Sequence, residues 1–228
     1  MIKITLPDGS IKEFESNTSP IDVAKSISEG LARSIISASF NGQTVETTTP
    51  LTTDGSLVLY SFNDLEGKKA FWHSSAHVLA ESILEFHPTA KLTIGPAIEN
   101  GFYYDIDLGD DVISEKNFQQ IEKKFLELAR GKHEFKIRSV SKADALSLYK
   151  EEKNPYKVEL IEGLTDGDIT FCDHSNFTDL CRGGHIPNTG IIKAIKIMSV
   201  AGAYWRGDEK NNQLTRLYGI SFPKQKML

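Results

Sequence analysis

Two pairs of reactive side chains in this sequence share a spacing of four residues. His73 and His77 form the first pair, and Cys181 and His185 form the second. On a helix, this spacing places two side chains about 40° apart on one face, where two imidazoles can address one metal ion or one substrate. Imidazole and thiol groups also serve as acids, bases and nucleophiles. We predict that the four residues converge on one polar site suited to hydrolysis or metal binding.

Each pair taken alone has a simpler explanation. Two helix histidines can each have their own hydrogen bond, and a core cysteine can precede a surface histidine by chance. Gly183 and Gly184 lie between Cys181 and His185, so this pair is expected in a tight loop and not in a helix. The joint occurrence of both pairs favours one shared site. Cys172 lies in an apolar segment and is interpreted as a core residue.

The elements that must position these residues begin with a β-rich domain, residues 1–62. Ser19-Pro20 predicts the start of a helix that Gly30 would end, and Asn41-Gly42 is typical of a tight hairpin turn. The order of strands and helix favours a ubiquitin-like β-grasp. Alternating or apolar patterns predict strands at residues 2–6, 11–14, 35–40, 45–47 and 57–60.

Residues 63–228 are predicted to form an α+β domain, with helices packed against a mostly antiparallel sheet. The polar residues 63–67 are interpreted as a linker. A long helix then begins at Lys68, carries both histidines of the first pair and ends before His87-Pro88. Two more helices are predicted at residues 114–130 and from Ser141, and strands at 92–98, 102–106, 133–140, 169–172, 191–200 and 213–222.

The composition limits the class of protein. The 228 residues are 39% hydrophobic and 25% charged, which suits a globular protein of two domains. We see no secretory leader and no apolar run near the roughly 20 residues that span a membrane, so we expect a cytoplasmic protein without a membrane partner. Two cysteines are too few for a disulfide framework. A net charge of −5 argues against a large nucleic-acid surface but allows a site for the end of a nucleic acid.

Several short motifs resemble those of one enzyme family. They are His73-Ser74-Ser75-Ala76-His77, Ile94-Gly95-Pro96, Asn100-Gly101-Phe102-Tyr103-Tyr104-Asp105, Tyr156-Lys157-Val158, Asp179-Leu180-Cys181-Arg182-Gly183-Gly184-His185 and Ala201-Gly202-Ala203-Tyr204-Trp205-Arg206-Gly207-Asp208. In their order they resemble the editing domain of bacterial-type threonyl-tRNA synthetases, and residues 1–62 resemble the TGS domain that precedes it. The editing domain would extend over 63–228 and include the start of a C-terminal linker. One departure is Gly184, where the family usually has proline, and this change should loosen the loop around His185.

The resemblance implies hydrolysis of mischarged seryl-tRNA(Thr) to serine and tRNA(Thr). Serine is threonine without a methyl group, and such a group contributes only about 1–3 kcal/mol to discrimination in a pocket. A synthetic site for threonine therefore accepts some serine, and a second, smaller pocket can remove the error. The expected partner is the acceptor 3′ end of tRNA(Thr), with its seryl adenosine moiety as substrate. Two alternatives stay open: a free-standing trans-editing deacylase, and a non-catalytic module that binds RNA or zinc.

The resemblance also implies roles for the residues of the reaction itself. His73 and Lys157 look like the groups that position or deprotonate the attacking water. A lysine can act as a base only where burial or nearby cations favour its neutral form. His77 and His185 would contact the seryl hydroxyl or orient water. Cys181 could be a nucleophile, but we expect it to shape the pocket, because attack by water needs no acyl-enzyme.

Further residues are expected to bind the substrate. Asp179 would hold the α-ammonium group of the seryl moiety. Tyr104 would stack on the terminal adenine, unless it is a plain core aromatic. Arg182 and Arg206 are candidate phosphate contacts, unless they belong to a solvated face.

We expect that the hydrolysis requires no cofactor. This sequence resembles the threonyl branch of the family, and the resemblance implies hydrolysis without an obligatory metal in this pocket. Zinc at His73, His77, Cys181 and His185 is the alternative, since three histidines and one cysteine suit tetrahedral zinc. The related alanyl-tRNA editing proteins hold zinc in such a pattern. By resemblance, ATP, magnesium and a further zinc belong to a synthetic core that we do not expect in this chain. The homodimer contact of the full-length enzyme is expected in the same core.

Overall fold

The computed structural model describes all 228 residues and contains two compact units. The first unit comprises Met1–Ser74 together with Gly183–Pro187, and the second comprises Ser75–Arg182 together with Asn188–Leu228. The domain boundary at residue 62 stays a prediction. No helix is both long and apolar enough to cross a membrane.

The first unit contains one mixed sheet of five strands. Its elements before the long helix are β1 (Ile2–Thr5), β2 (Ile11–Phe14), α1 (Pro20–Ile27), α2 (Glu29–Ser34), β3 (Ile35–Phe40), β4 (Gln43–Val45) and β5 (Gly55–Ser61). The strand order is β2-β1-β5-β3-β4, in which β1 and β5 are parallel and the other pairs are antiparallel. This arrangement confirms the predicted β-grasp. Its core consists of Ile2, Ile4, Val23, Ala38, Leu51 and Leu57.

Two local predictions in this unit have different outcomes. Asn41 and Gly42 both have positive φ, 51° and 79°, as the predicted hairpin turn requires. Gly30 does not end α1, because it lies inside the short helix α2. The end is set by Ser28, whose side chain accepts a hydrogen bond from the Leu31 N–H at 3.1 Å and so begins the next helix.

The long helix α3 (Leu65–Leu84) carries the first histidine pair and begins inside the predicted linker 63–67. The Asp64 carboxylate accepts hydrogen bonds from the Ser61 N–H at 2.7 Å and from its hydroxyl at 2.8 Å. The Asp64 carbonyl accepts the first helical bond from Lys68. A side chain at Gly67 would overlap the Ser61 carbonyl oxygen, so glycine lets the helix start directly after β5. The linker prediction is therefore wrong from Leu65 onward.

The second unit is an α+β arrangement with two antiparallel sheets. One sheet has the order β12-β13-β8-β6, with β7 paired to β8, and the other has the order β11-β10-β9. The elements are β6 (Lys91–Leu92), β7 (Ala97–Ile98), β8 (Gly101–Asp107), α4 (Glu115–Arg130), β9 (Lys136–Ser139), α5 (Lys142–Glu151), α6 (Pro155–Glu162), β10 (Thr170–His174), β11 (Phe177–Leu180), β12 (Ala194–Tyr204) and β13 (Gln213–Phe222). The predicted α+β class is confirmed.

Among the α-helices and β-strands of the second unit, two were not predicted, and both carry candidate site residues. Helix α6 begins after Asn154, whose side-chain oxygen accepts a hydrogen bond from the Lys157 N–H at 3.1 Å. Strand β11 pairs with β10 so that Asp179 lies opposite Cys172. Lys157 is therefore a helix residue, and Asp179 is a strand residue.

Candidate functional site

The centre of the polar site in the second unit is the carboxylate of Asp179 on β11. It is 2% exposed, and three side chains approach it. Lys157 Nζ lies 2.5 Å from Oδ1, the Tyr104 hydroxyl donates to Oδ2 at 2.8 Å, and His77 Nδ1 lies 3.3 Å from Oδ2. Burial of a charge is costly unless partners compensate it, and here an ammonium, a phenol and an imidazole do so.

Local sequence explains why these partners point at Asp179. Asn154 begins α6, and its side-chain NH₂ donates to the Leu92 carbonyl at 2.9 Å. Pro155 follows at the first helical position, so Lys157 lies in the first turn of the helix. Tyr104 lies on β8, and a side chain at Gly95 would overlap its ring. Glycine at position 95 is therefore needed for the Tyr104 ring to occupy this place.

The charges around Asp179 shift several pKa values. Burial alone would raise the pKa of Asp179, but the Lys157 ammonium and His77 hold it well below its usual range. Burial raises the pKa of Tyr104, and the Asp179 carboxylate raises it further, so the phenol stays a donor. Burial lowers the pKa of His77, but Cys181 and Asp179 outweigh it, and the net pKa is raised. The site therefore holds an ionised carboxylate in a nearly dry environment.

Two histidines of the first unit, His73 and His185, lie against each other. Their rings stack with centroids 4.9 Å apart and an angle of 26° between the planes. His73 is partly exposed, whereas His185 is fully buried. Residues 183–187 form no helix, as predicted for the loop, and Gly183 and Gly184 have φ of 90° and 84°.

The four residues of the predicted constellation offer a suitable set of metal ligands. Each of His73, His77, Cys181 and His185 provides one ligand atom, and these atoms lie within 4.8 Å of one another. Three imidazole nitrogens and one thiolate sulfur match the donors of tetrahedral zinc sites. The donor set therefore fits zinc, and it equally fits a metal-free site in which the imidazoles accept and donate protons.

Two family descriptions match the chain. The TGS domain matches residues 2–60, and the "Threonyl and Alanyl tRNA synthetase second additional domain" matches residues 169–218. Over its full length the chain is 71% identical to the threonine--tRNA ligase of Flavobacterium psychrophilum and 69% identical to that of Flavobacterium johnsoniae. It is 55% identical to the threonine--tRNA ligase of Cytophaga hutchinsonii. The chain belongs to the threonyl-tRNA synthetase family. It spans 35% of the length of each of these three relatives.

The threonyl-tRNA synthetase family match covers only part of the candidate site. Of the predicted site residues, the second additional domain includes Asp179, Cys181, Arg182, His185 and Arg206. The residues of α3, β8 and α6 lie before the matched range. His73, His77, Tyr104 and Lys157 are candidate site residues because of their motifs and because of their contacts with Asp179 and His185.

The structure places some predicted substrate-binding residues differently from expectation. The Tyr104 ring is 1% exposed, so it offers no open face for stacking on an adenine, and its hydroxyl instead bonds Asp179. The Asp179 carboxylate already faces Lys157, so a substrate ammonium would compete with that ion pair. Arg182 and Arg206 are both exposed, and Arg206 Nε lies 2.5 Å from a Glu159 oxygen.

Sequence reasoning missed three groups that touch the site. Asn154 had a usable signal, because Asn-Pro is typical of a helix start. The second group is the pair of His174 and Glu81, in which His174 Nε2 lies 3.1 Å from Glu81 Oε2. The centroid of the His174 ring is 6.4 Å from that of the His77 ring. Neither His174 nor Glu81 belongs to a motif. Glu46 contacts His185 and gave no signal, because it belongs to no motif and lies in the β-grasp domain, far from His185 in the sequence.

Proposed function

We propose that this chain hydrolyses the ester bond of seryl-tRNA(Thr), as the editing part of a threonine--tRNA ligase. Membership of the family supports the substrate class, and the buried charged network around Asp179 is the observation that carries the proposal. Fixed charges in a dry site stabilise a developing charge more strongly than water does. In this proposal, ATP-dependent attachment of threonine belongs to the remaining length of the longer enzyme.

Water activation is assigned to His73. Ester hydrolysis needs an activated water, stabilisation of the oxyanion and a proton for the leaving ribose oxygen. His73 is partly exposed, whereas His77 and His185 are buried, so its ring is the one best placed to meet solvent water. The stacked ring of His185 keeps His73 in orientation.

Lys157 is assigned to charge stabilisation. An ammonium that holds an ion pair has no lone pair with which to take a proton from water, so the role of base passes to His73. The Lys157 ammonium instead stabilises the oxyanion, and Asp179 holds Lys157 and His77 in place. His77 and His185 contact the seryl hydroxyl. Cys181 shapes the pocket, because attack by water needs no acyl-enzyme.

The partner in this proposal is the acceptor 3′ end of tRNA(Thr), and the bound moiety is seryl adenosine. The exposed Arg182 is the candidate phosphate contact of the loop. Arg206 would have to leave Glu159 to contact a phosphate. The longer enzyme would act in the cytoplasm as a homodimer joined through its synthetic core.

Discrimination between serine and threonine tests the proposal. We expect the chain to hydrolyse Ser-tRNA(Thr) faster than Thr-tRNA(Thr) by about 10–200-fold, the range for one methyl group in a closely fitting pocket. Initial rates with the two radiolabelled aminoacyl-tRNAs measure the ratio. Equal rates would refute the proposed sieve, and the absence of hydrolysis with either substrate would refute the function.

Metal removal separates the metal-free mechanism from the zinc alternative. Bound zinc would be held by His73, His77, Cys181 and His185 and would supply a metal-activated water. We expect seryl-tRNA hydrolysis to persist after treatment with a chelator, because His73 and the Lys157–Asp179 pair provide the base and the charge. Metal analysis of the purified chain, paired with rates before and after chelation, measures this. Stoichiometric zinc together with lost activity would contradict the metal-free mechanism.

A further inference from the structure

Glu46 of the first unit accepts hydrogen bonds from the loop that carries His185. Its Oε1 accepts from the Gly184 N–H at 3.0 Å, and its two carboxylate oxygens lie 3.2 and 3.1 Å from the His185 backbone N. The same Oε1 lies 3.1 Å from His185 Nδ1. One carboxylate therefore binds the loop backbone and the imidazole together.

This contact determines which ring nitrogen of His185 carries the proton. An ionised carboxylate can only accept hydrogen bonds, so Nδ1 must be the N–H donor. In the neutral ring, the lone pair then lies on Nε2. A nitrogen with a lone pair can accept a proton or a hydrogen bond from substrate, whereas the opposite tautomer can only donate from that position.

The backbone of the loop fits this arrangement. Gly184 has φ of 84°, a conformation that proline cannot adopt, and proline would also lack the N–H that Glu46 accepts. On the other side of His185, the Ile186 N–H donates to the Ser74 hydroxyl at 3.0 Å. The loop is therefore held on both sides of His185, by Glu46 and by helix α3.

We propose that Glu46, which directly follows β4, is a positioning residue for the hydrolysis, so that the β-grasp domain contributes directly to the editing reaction. Glu46 fixes the tautomer and direction of the His185 ring, and through the stacked rings it also fixes His73. The inference rests on the proposed function for its catalytic consequence. The tautomer of His185 is independent of any activity.

The test compares Glu46→Ala, Glu46→Gln and the control Glu13→Ala with the unchanged chain. Glu13 is an exposed glutamate of the same unit, on β2. Two readouts are needed: kcat and KM for hydrolysis of Ser-tRNA(Thr), and the protonation of the His185 ring nitrogens by nitrogen NMR. Thermal unfolding checks that each variant folds.

We expect Glu46→Ala to lower kcat by about 10–100-fold, as loss of a group that orients a site residue does, with KM close to that of the unchanged chain. Glu46→Gln keeps one acceptor oxygen and should recover part of kcat, and Glu13→Ala should leave both constants unchanged. The NMR spectrum should show Nδ1–H in the unchanged chain and its loss in Glu46→Ala.

Two results would overturn the inference: a His185 tautomer that does not depend on Glu46, or a kcat of Glu46→Ala equal to that of the control. If Glu46→Ala does not fold, kcat of Glu46→Gln decides, and a value equal to that of the unchanged chain counts against Glu46. If the unchanged chain does not hydrolyse Ser-tRNA(Thr), the proposed function fails, while the tautomer still decides the role of Glu46.

Discussion

Replacing Asp179 with asparagine will lower the free energy of unfolding by about 3–5 kcal/mol, the range for removing one partner of a buried ion pair. The loss is large because Lys157 and Asp179 are each 2% exposed, so the remaining ammonium would be buried without its carboxylate. Urea-induced unfolding of the two proteins measures the difference. We also expect the variant to lose seryl-tRNA hydrolysis, because Lys157 and His77 lose the group that holds them.

The matched control is Asp173→Asn. Asp173 pairs with Arg138, but its side chain is 31% exposed and that of Arg138 is 51% exposed, so this change should cost no more than about 1 kcal/mol. Lys157→Met combined with Asp179→Asn removes both charges and should restore much of the lost stability. Equal costs at Asp179 and Asp173 would show that the buried pair has no special energetic role.

The same ion pair sets the expected pH dependence. The pKa of Asp179 is lower in the folded chain than its usual value near 3.9, so the folded state favours the ionised form. Its contribution to stability is therefore present above about pH 4 and is lost as the pH falls towards the folded pKa. Asp179→Asn should show a smaller loss of stability over that acidic range than the unchanged chain does.

Replacing His73 with alanine will reduce hydrolysis of Ser-tRNA(Thr) by about 10²–10⁴-fold, the usual contribution of a general base. The fold should persist, because His73 is partly exposed and contributes little to the core. Single-turnover rates together with urea-induced unfolding measure both effects. His133→Ala is the matched control, since His133 is a partly exposed histidine outside the candidate ligand set. Similar rates for the two variants would remove His73 from the proposed mechanism.

Strong local patterns were sufficient to predict much of the fold. Strand β13 was predicted at its observed limits, and the Asn41-Gly42 turn was predicted from the backbone geometry that those two residues favour. Helix α4 lies within one residue of its predicted start because Ser114 and Gly131 bound a regular apolar stripe. In these segments, neighbouring residues alone determine the structure.

Short elements escaped prediction because their structure depends on distant partners. Strand β11 has four residues and is defined by its pairing with β10. Helix α6 has eight residues, and its start depends on Asn154, which also bonds the distant Leu92 carbonyl. Short segments of this kind leave little local periodicity to read.

Contacts between residues that are distant in the sequence also limited the prediction of the candidate site. The reactive residue types and their spacing indicated His73, His77, Cys181 and His185. The buried ion pair of Lys157 with Asp179 became visible only in the structure. Glu46 lies 138 and 139 positions from the loop residues that it binds, and no local pattern connects them.

The hydrogen bonds of Glu46 also limit how this chain can be divided. Five residues from its second half, Gly183–Pro187, belong to the same compact unit as its first 74 residues. A fragment that begins after β5 would keep every candidate ligand but would lack the carboxylate that holds His185. Recombination or grafting that exchanges only the β-grasp domain would therefore also replace a neighbour of the reacting groups. In this chain, the first domain and the loop around His185 should therefore be exchanged, or engineered, together.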